Sequence, residues 1–144
     1  MIHHISIPVR DPRGAADVLA LVLDGRVAQF RPHDGVWTVW TDDEHGTAVE
    51  CFPRTLAMVP SDDASGVGFV DVPDGAESVA IHALISVDHS IDDLLAIAAD
   101  AGWRAEVVSR GPHDAVAFWV ENSVLLELLT PEMAAEFRRS LRSD

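Results

Sequence analysis

Hydrophobic and polar positions alternate from the start of this chain. Over residues 2–9, His3, Ile5, Ile7 and Val9 fall on one side and His4, Ser6 and Pro8 on the other. That period of two predicts a strand whose aliphatic side meets a helix. Asp11-Pro12 then supplies an N-cap and a first helical residue, an apolar segment runs from Ala15 to Leu23, and Gly25 ends it. Strands are predicted over 26–31, 35–42 and 46–53, with turns at His33-Asp34-Gly35 and from Asp42 to Gly46. Residues 54–77 are richer in Pro, Gly, Ser and Asp, and carry one short strand near Val67 to Val70.

The pattern then repeats. A strand over 79–87 leads into Ser90-Ile91-Asp92-Asp93, a capping-box variant, and the helix it opens runs to Ala101 and stops at Gly102. Strands follow over 103–109, 114–120 and 124–130. Thr130-Pro131-Glu132 begins a last helix with Met133, Phe137 and Leu141 at spacing four and Arg138, Arg139 and Arg142 near its end. The chain therefore divides into a first module over 1–57, a connector over 58–77, a second module over 78–130 and a C-terminal helix over 131–144. Each module is strand-helix-strand-strand-strand, an α+β arrangement built twice.

The duplication carries the candidate chemistry. In Val124-Leu125-Leu126-Glu127-Leu128-Leu129 one carboxylate sits among five aliphatic side chains, a costly place for an ionised group without a positive partner. A lone Glu in a strand usually lies on a wet face. Here the situation occurs twice, since Glu50 stands in Thr47-Ala48-Val49-Glu50-Cys51-Phe52. His4 precedes Glu50 by 46 residues and His82 precedes Glu127 by 45. Alternation puts His4 with Ser6, Glu50 with Ala48 and Phe52, His82 with Leu84, and Glu127 with Leu125 and Leu129. Two imidazoles and two carboxylates suit Ni²⁺, Zn²⁺, Co²⁺, Mn²⁺ or Fe²⁺ and leave up to two octahedral positions open.

His3 falls on the aliphatic side, so His4 is the better ligand and His3 a core-edge or supporting residue. His33, His45, His89 and His113 sit in predicted turns or strand ends and are expected in solvent, with His45 or His113 able to line a pocket mouth. Of Trp37, Trp40, Trp103 and Trp119, either Trp40 or Trp119 is expected to touch substrate. Arg54, just past the Glu50 strand, is a candidate anion clamp set against an ordinary surface role.

The paired modules, with His4 and His82 on first strands and Glu50 and Glu127 on last ones, resemble the vicinal oxygen chelate superfamily. That group includes glyoxalase I, bleomycin-resistance proteins, methylmalonyl-CoA epimerase and extradiol dioxygenases. The resemblance spans roughly residues 2–130, and the doubled placement makes it specific. It implies two βαβββ modules forming a cup-shaped mixed sheet with helices outside and metal on the concave face. It further implies chelation of a small α-oxygenated carbonyl substrate, with Glu127 or Glu50 as proton shuttle. The alternatives are an Fe²⁺ extradiol-type dioxygenase, which needs two His and one carboxylate, and a non-catalytic antibiotic-binding or resistance protein. Two departures stand out. The first helix lacks a Phe-Tyr pair, and Val120-Glu121-Asn122-Ser123 replaces the usual Asp-Pro-Asp-Gly hairpin.

Composition narrows the partners. The 144 residues carry a net charge of −14, and every basic residue is Arg. No basic stripe appears, so nucleic acid and anionic membranes are poor partners, while a small-molecule substrate remains open. Without Lys or Tyr, Schiff-base and tyrosyl chemistry are excluded within the chain. Cys51, the single Cys, permits no internal disulfide, and by alternation it is a core thiol. No signal peptide or membrane span is visible, and the cytoplasm is the expected location. The connector allows the modules to pair within one chain or to exchange across a homodimer, which is the expected assembly.

Overall fold

A computed structural model of the chain describes residues 2–62, 65, 67–75, 79–111 and 113–141. Strand β1 (His4–Val9) leads into helix α1 (Pro12–Val22), then β2 (Arg26–Gln29), β3 (Trp37–Trp40) and β4 (Ala48–Pro53). The Asp11 side chain accepts the Gly14 N–H at 3.0 Å, and Pro12 occupies the first turn. The sheet order is β1-β4-β3-β2, with β1 and β4 parallel and the other pairs antiparallel.

The second unit repeats this plan. Strand β7 (His82–Ser86) precedes α2 (Ile91–Asp100), β8 (Ala105–Ser109), β9 (Asp114–Val120) and β10 (Val124–Leu129), in the order β7-β10-β9-β8. Ser90 and Asp93 form a reciprocal capping box, and Gly102 takes φ 70°, the left-handed value that favours glycine after a helix. The α+β architecture of two tandem βαβββ units is thus present, in two open mixed sheets. Helix α3 (Pro131–Ser140) closes the described chain, capped by the Thr130 hydroxyl. Arg142 and the expected helix end at 142–144 lie outside the described residues.

Both sheets bury their aliphatic faces in one core. Ile7, Val9, Val39, Val49 and Cys51 meet Ala15, Ala16, Leu19 and Val22 of α1, while Val116, Phe118, Leu126 and Leu128 are buried with Leu94 and Ala98 of α2. Each such Leu or Phe contributes roughly 1.5–3 kcal/mol by leaving water. The helices touch each other, so the faces bearing the candidate ligands are the ones not covered by α1 and α2. Trp37 lies under the Arg13 guanidinium at 4.4 Å, and Trp103 packs edge-on against Phe118. Both belong to the helix side.

The connector departs from expectation. Where one short strand is predicted, β5 (Leu56–Pro60) and β6 (Val67–Asp71) pair as an antiparallel hairpin. Phe69 on this hairpin stacks against Phe52, 6.2 Å between centroids, and meets His33 at 5.0 Å. The hairpin thereby closes one end of the face that carries Glu50. Several strands are also shorter than predicted: β1 begins at His4, β3 spans only Trp37–Trp40 and β7 only His82–Ser86.

Candidate metal centre

The two units place their candidate ligands in the same register. In the first, His4 lies opposite Ala48 and Ser6 opposite Glu50. In the second, His82 lies opposite Leu125 and Leu84 opposite Glu127. Each His therefore stands two residues before the partner of its Glu, on the neighbouring parallel strand and the same face. The one-residue difference in sequence interval is absorbed outside the strands.

The surroundings of the two carboxylates differ. Glu50 is 9% exposed, and the Ser6 hydroxyl donates to its Oε2 at 2.7 Å. The His4 Nε2 lies 4.0 Å from the same oxygen, with the imidazole itself 58% exposed. Glu127 has 12% of its side chain exposed and receives the Nε of Arg110 at 2.5 Å. Arg110 follows β8, two strands away, and reaches across β9, where Ala117 stands opposite Glu127. The small side chains of Ala117 and Ala115 on this face leave the passage open. This pair has no signal in the local sequence pattern.

Trp40 pairs with Ala48 and Trp119 with Leu125, which puts one indole on each ligand face, both half-buried. Arg54 lies beyond β4, half-buried, and its N–H donates to the Val9 carbonyl at 2.8 Å. Cys51 faces the core with no exposure, and burial, helped by the negative charge of Glu121, pushes its thiol up to about 12. It is a packing residue.

Several His placements correct the sequence reading. His3 is exposed and its Nδ1 meets the His45 carbonyl at 2.8 Å, so it braces the β3–β4 turn instead of edging the core. His33, His89 and His113 are half-buried where solvent was expected, His33 against Phe69 of the connector hairpin. His89 sits 3.4 Å from Asp24 at the end of α1, and His113 packs edge-on against Phe137 of α3 at 4.9 Å. His89 and His113 are drawn inward because helices from elsewhere in the chain cover the loops that bear them.

An open cavity of about 720 Å³ separates β1 from β7, the two strands that end their respective sheets. His4 lines it together with Ile5, Val49, Leu84 and Ile85. Among the described residues of one chain, no three His, Cys, Asp or Glu side chains gather closely enough to hold one ion. The four candidates stand as two half-sets, one imidazole and one carboxylate on each sheet. Their chemistry fits a divalent cation: Glu50 has a neutral donor and an exposed imidazole beside it, and Glu127 already attracts a positive group.

No family model and no curated protein matches the chain. Solved structures do. A glyoxylase/bleomycin resistance protein/dioxygenase domain from Frankia sp. EAN1pec is similar with a TM-score of 0.53 at 18% identity, covering 90% of this chain and 96% of that one. A mutant of the fosfomycin resistance protein FosX from Listeria monocytogenes, complexed with Mn(II) and 1S,2S-dihydroxypropylphosphonic acid, gives 0.56 at 12% identity over 89% and 87%. TnmS3, an antibiotic binding protein from Streptomyces sp. CB03234, gives 0.56 at 16% over 91% and 95%. The fold is that of the vicinal oxygen chelate superfamily.

Proposed function

We propose that this protein is a divalent-metal-dependent enzyme acting on a small α-oxygenated carbonyl compound, in the manner of glyoxalases, isomerases and epimerases. The supporting observation is the matched register: His4 against Glu50 and His82 against Glu127, at equivalent positions of two sheets. His4 and Glu50 from one copy and His82 and Glu127 from a second would hold the ion. The edge strands β1 and β7 are where a second copy would join, and a homodimer then carries two such centres. The FosX complex with Mn(II) supports a metal on this fold. Ni, Zn, Co, Mn and Fe all suit the donor set.

The ion would supply chelation of adjacent substrate oxygens and acidify the proton beside the carbonyl. The chain's own groups then divide the work. Glu127 is tied to a guanidinium, whereas Glu50 is tied to a hydroxyl that can exchange hydrogen-bond roles. Glu50 is accordingly our first choice for the group that moves the proton, and Glu127 for the second position. Trp40 and Trp119 would form apolar walls that exclude water, with Ser6 and Arg54 near the substrate.

A binding-protein reading has one observation in its favour, because the Arg110 guanidinium neutralises Glu127. Elemental analysis after purification without chelator separates the two. The metal reading expects roughly one divalent ion per chain and its loss in His82→Ala and Glu127→Ala. Full occupancy in both variants would refute the ligand assignment. Metal-dependent deuterium exchange across a panel of α-hydroxy carbonyl compounds tests catalysis, and silence throughout would favour binding alone. Oxygen uptake with catechols would point to a dioxygenase.

A further inference from the structure

We propose that Arg110 is an anion receptor held in reserve on Glu127, so that ligands of this face carry a carboxylate or phosphonate beside their chelating oxygens. The substrate class rests on the metal reading given above; the receptor itself does not.

Only the Nε of Arg110 is engaged by Glu127. The side chain is 41% exposed, so the guanidinium is reachable from solvent while its partner carboxylate is nearly covered. A guanidinium presents five donors in a planar fork, and one edge remains for a second oxyanion. The cross-strand neighbours on the face are Ala117, Leu125, Trp119 and Glu106, whose carboxylate is itself taken by Arg104. In a protein of net charge −14, an exposed guanidinium on this face is a local point of attraction for an anion. The Arg110 backbone is itself fixed, since its N–H donates to the His113 carbonyl at 2.8 Å across the β8–β9 turn. The guanidinium therefore swings from an anchored base.

One carboxylate cannot serve two cations at full strength. When a metal ion takes Glu127, the guanidinium loses its partner and is free for an anion; when an anion takes Arg110, Glu127 is released to the metal. The two ligands then favour each other, and the coupling is reciprocal.

Glycolate and its uncharged counterpart glycolamide are the probes, followed by chemical-shift perturbation on the full-length protein. Without metal, wild type is expected to bind glycolate weakly. Glu127→Gln, which removes the competing charge, is expected to bind it about tenfold more tightly, within the usual range of such couplings. Glycolamide should show no such gain, and the gain should disappear in Glu127→Gln/Arg110→Ala. Arg110→Lys in the same background should recover part of it. Circular dichroism confirms that each variant is folded.

With Mn²⁺, glycolate should tighten metal binding by wild type about tenfold, and Arg110→Ala should bind Mn²⁺ more tightly than wild type yet lose the glycolate effect. Equal glycolate binding by wild type and Glu127→Gln, or a gain that survives loss of Arg110, would overturn the proposal. If Glu127→Gln gains glycolate but no variant binds Mn²⁺, the metal reading falls and the receptor stands. If Mn²⁺ binds and glycolate affinity never changes, the reverse holds.

Discussion

The two faces that carry Glu50 and Glu127 share one backbone plan and hold their carboxylates by different means. On the first sheet a hydroxyl from the neighbouring strand meets Glu50 and an exposed His4 stands beside it. On the second, Leu84 takes the place of Ser6, and an arginine from beyond the far edge strand supplies the partner. Duplication fixed where the carboxylates stand, while the side chains around each set what it can do. A neutral partner leaves a carboxylate able to trade protons; a cationic partner makes it a place where cations compete.

The largest expected effect concerns the donors. If the halves contribute equally, His4→Ala and His82→Ala should each weaken metal binding well beyond the 10–100-fold typical of losing a supporting residue. Isothermal titration with Mn²⁺ measures this. Retention of tight binding in Glu50→Gln alone would break the symmetry and point to two His and one carboxylate.

Next comes the contrast between the two supports. Ser6→Ala leaves a buried carboxylate without its hydrogen bond and should cost about 1–3 kcal/mol in urea unfolding. Arg110→Ala leaves Glu127, equally covered, without its partner and should cost a similar amount by the same measurement. A cost at Arg110 well below that at Ser6 would mean that water reaches Glu127 once the guanidinium is gone.

The turns before the two Glu-bearing strands differ as well. In the first unit Asp43 folds back on its own turn, where the side chain and N–H of Thr47 hold its carboxyl well below the usual range. In the second, Glu121 and Asn122 both take positive φ, 49° and 56°, and the Glu121 carboxylate accepts the Arg10 N–H and the Asp11 N–H at the start of α1. Glu121→Ala should cost about 1 kcal/mol by removing this link between the units. Glu121→Gly should cost roughly 0.5–1 kcal/mol less, since glycine accepts the left-handed backbone freely. Thermal unfolding compares them.

The smallest effect lies one residue past each Glu, where the first unit has Cys51 and the second Leu128. Cys51 in the folded chain titrates above its unfolded value, so its contribution to stability is complete below about pH 8.5. It is lost as pH rises from there toward about 12. Cys51→Val should flatten that part of the stability curve, and native Cys51 should resist thiol reagents at pH 8. Rapid labelling of the native chain would contradict its place in the core.

Much of this molecule could be read from local pattern. Alternation over 2–9 and the doubled His and Glu intervals set the register that the sheets show, and Asp11, Ser90 and Thr130 cap helices where their spacing indicated. What escaped depends on contacts distant in sequence. Strand β5 carries no alternation of its own and exists because β6 pairs with it and Phe69 anchors the hairpin on Phe52. Arg110 meets Glu127 only because β9 folds between them with small side chains, and Glu121 reaches Arg10 from the opposite end of the chain. His89 and His113 looked solvent-bound because nothing near them in sequence shows the helices that cover them.

In the proposed dimer each chain holds one half of each of two centres. A mixture of His4→Ala/Glu50→Gln chains with His82→Ala/Glu127→Gln chains tests it directly, by Mn²⁺ bound per chain after unfolding and joint refolding. Neither variant alone should bind the ion. With sites shared between copies, half of the dimers are mixed and each regains one centre, so about a quarter of wild-type occupancy should return. No recovery in the mixture, with both proteins folded and dimeric, would contradict the shared centre.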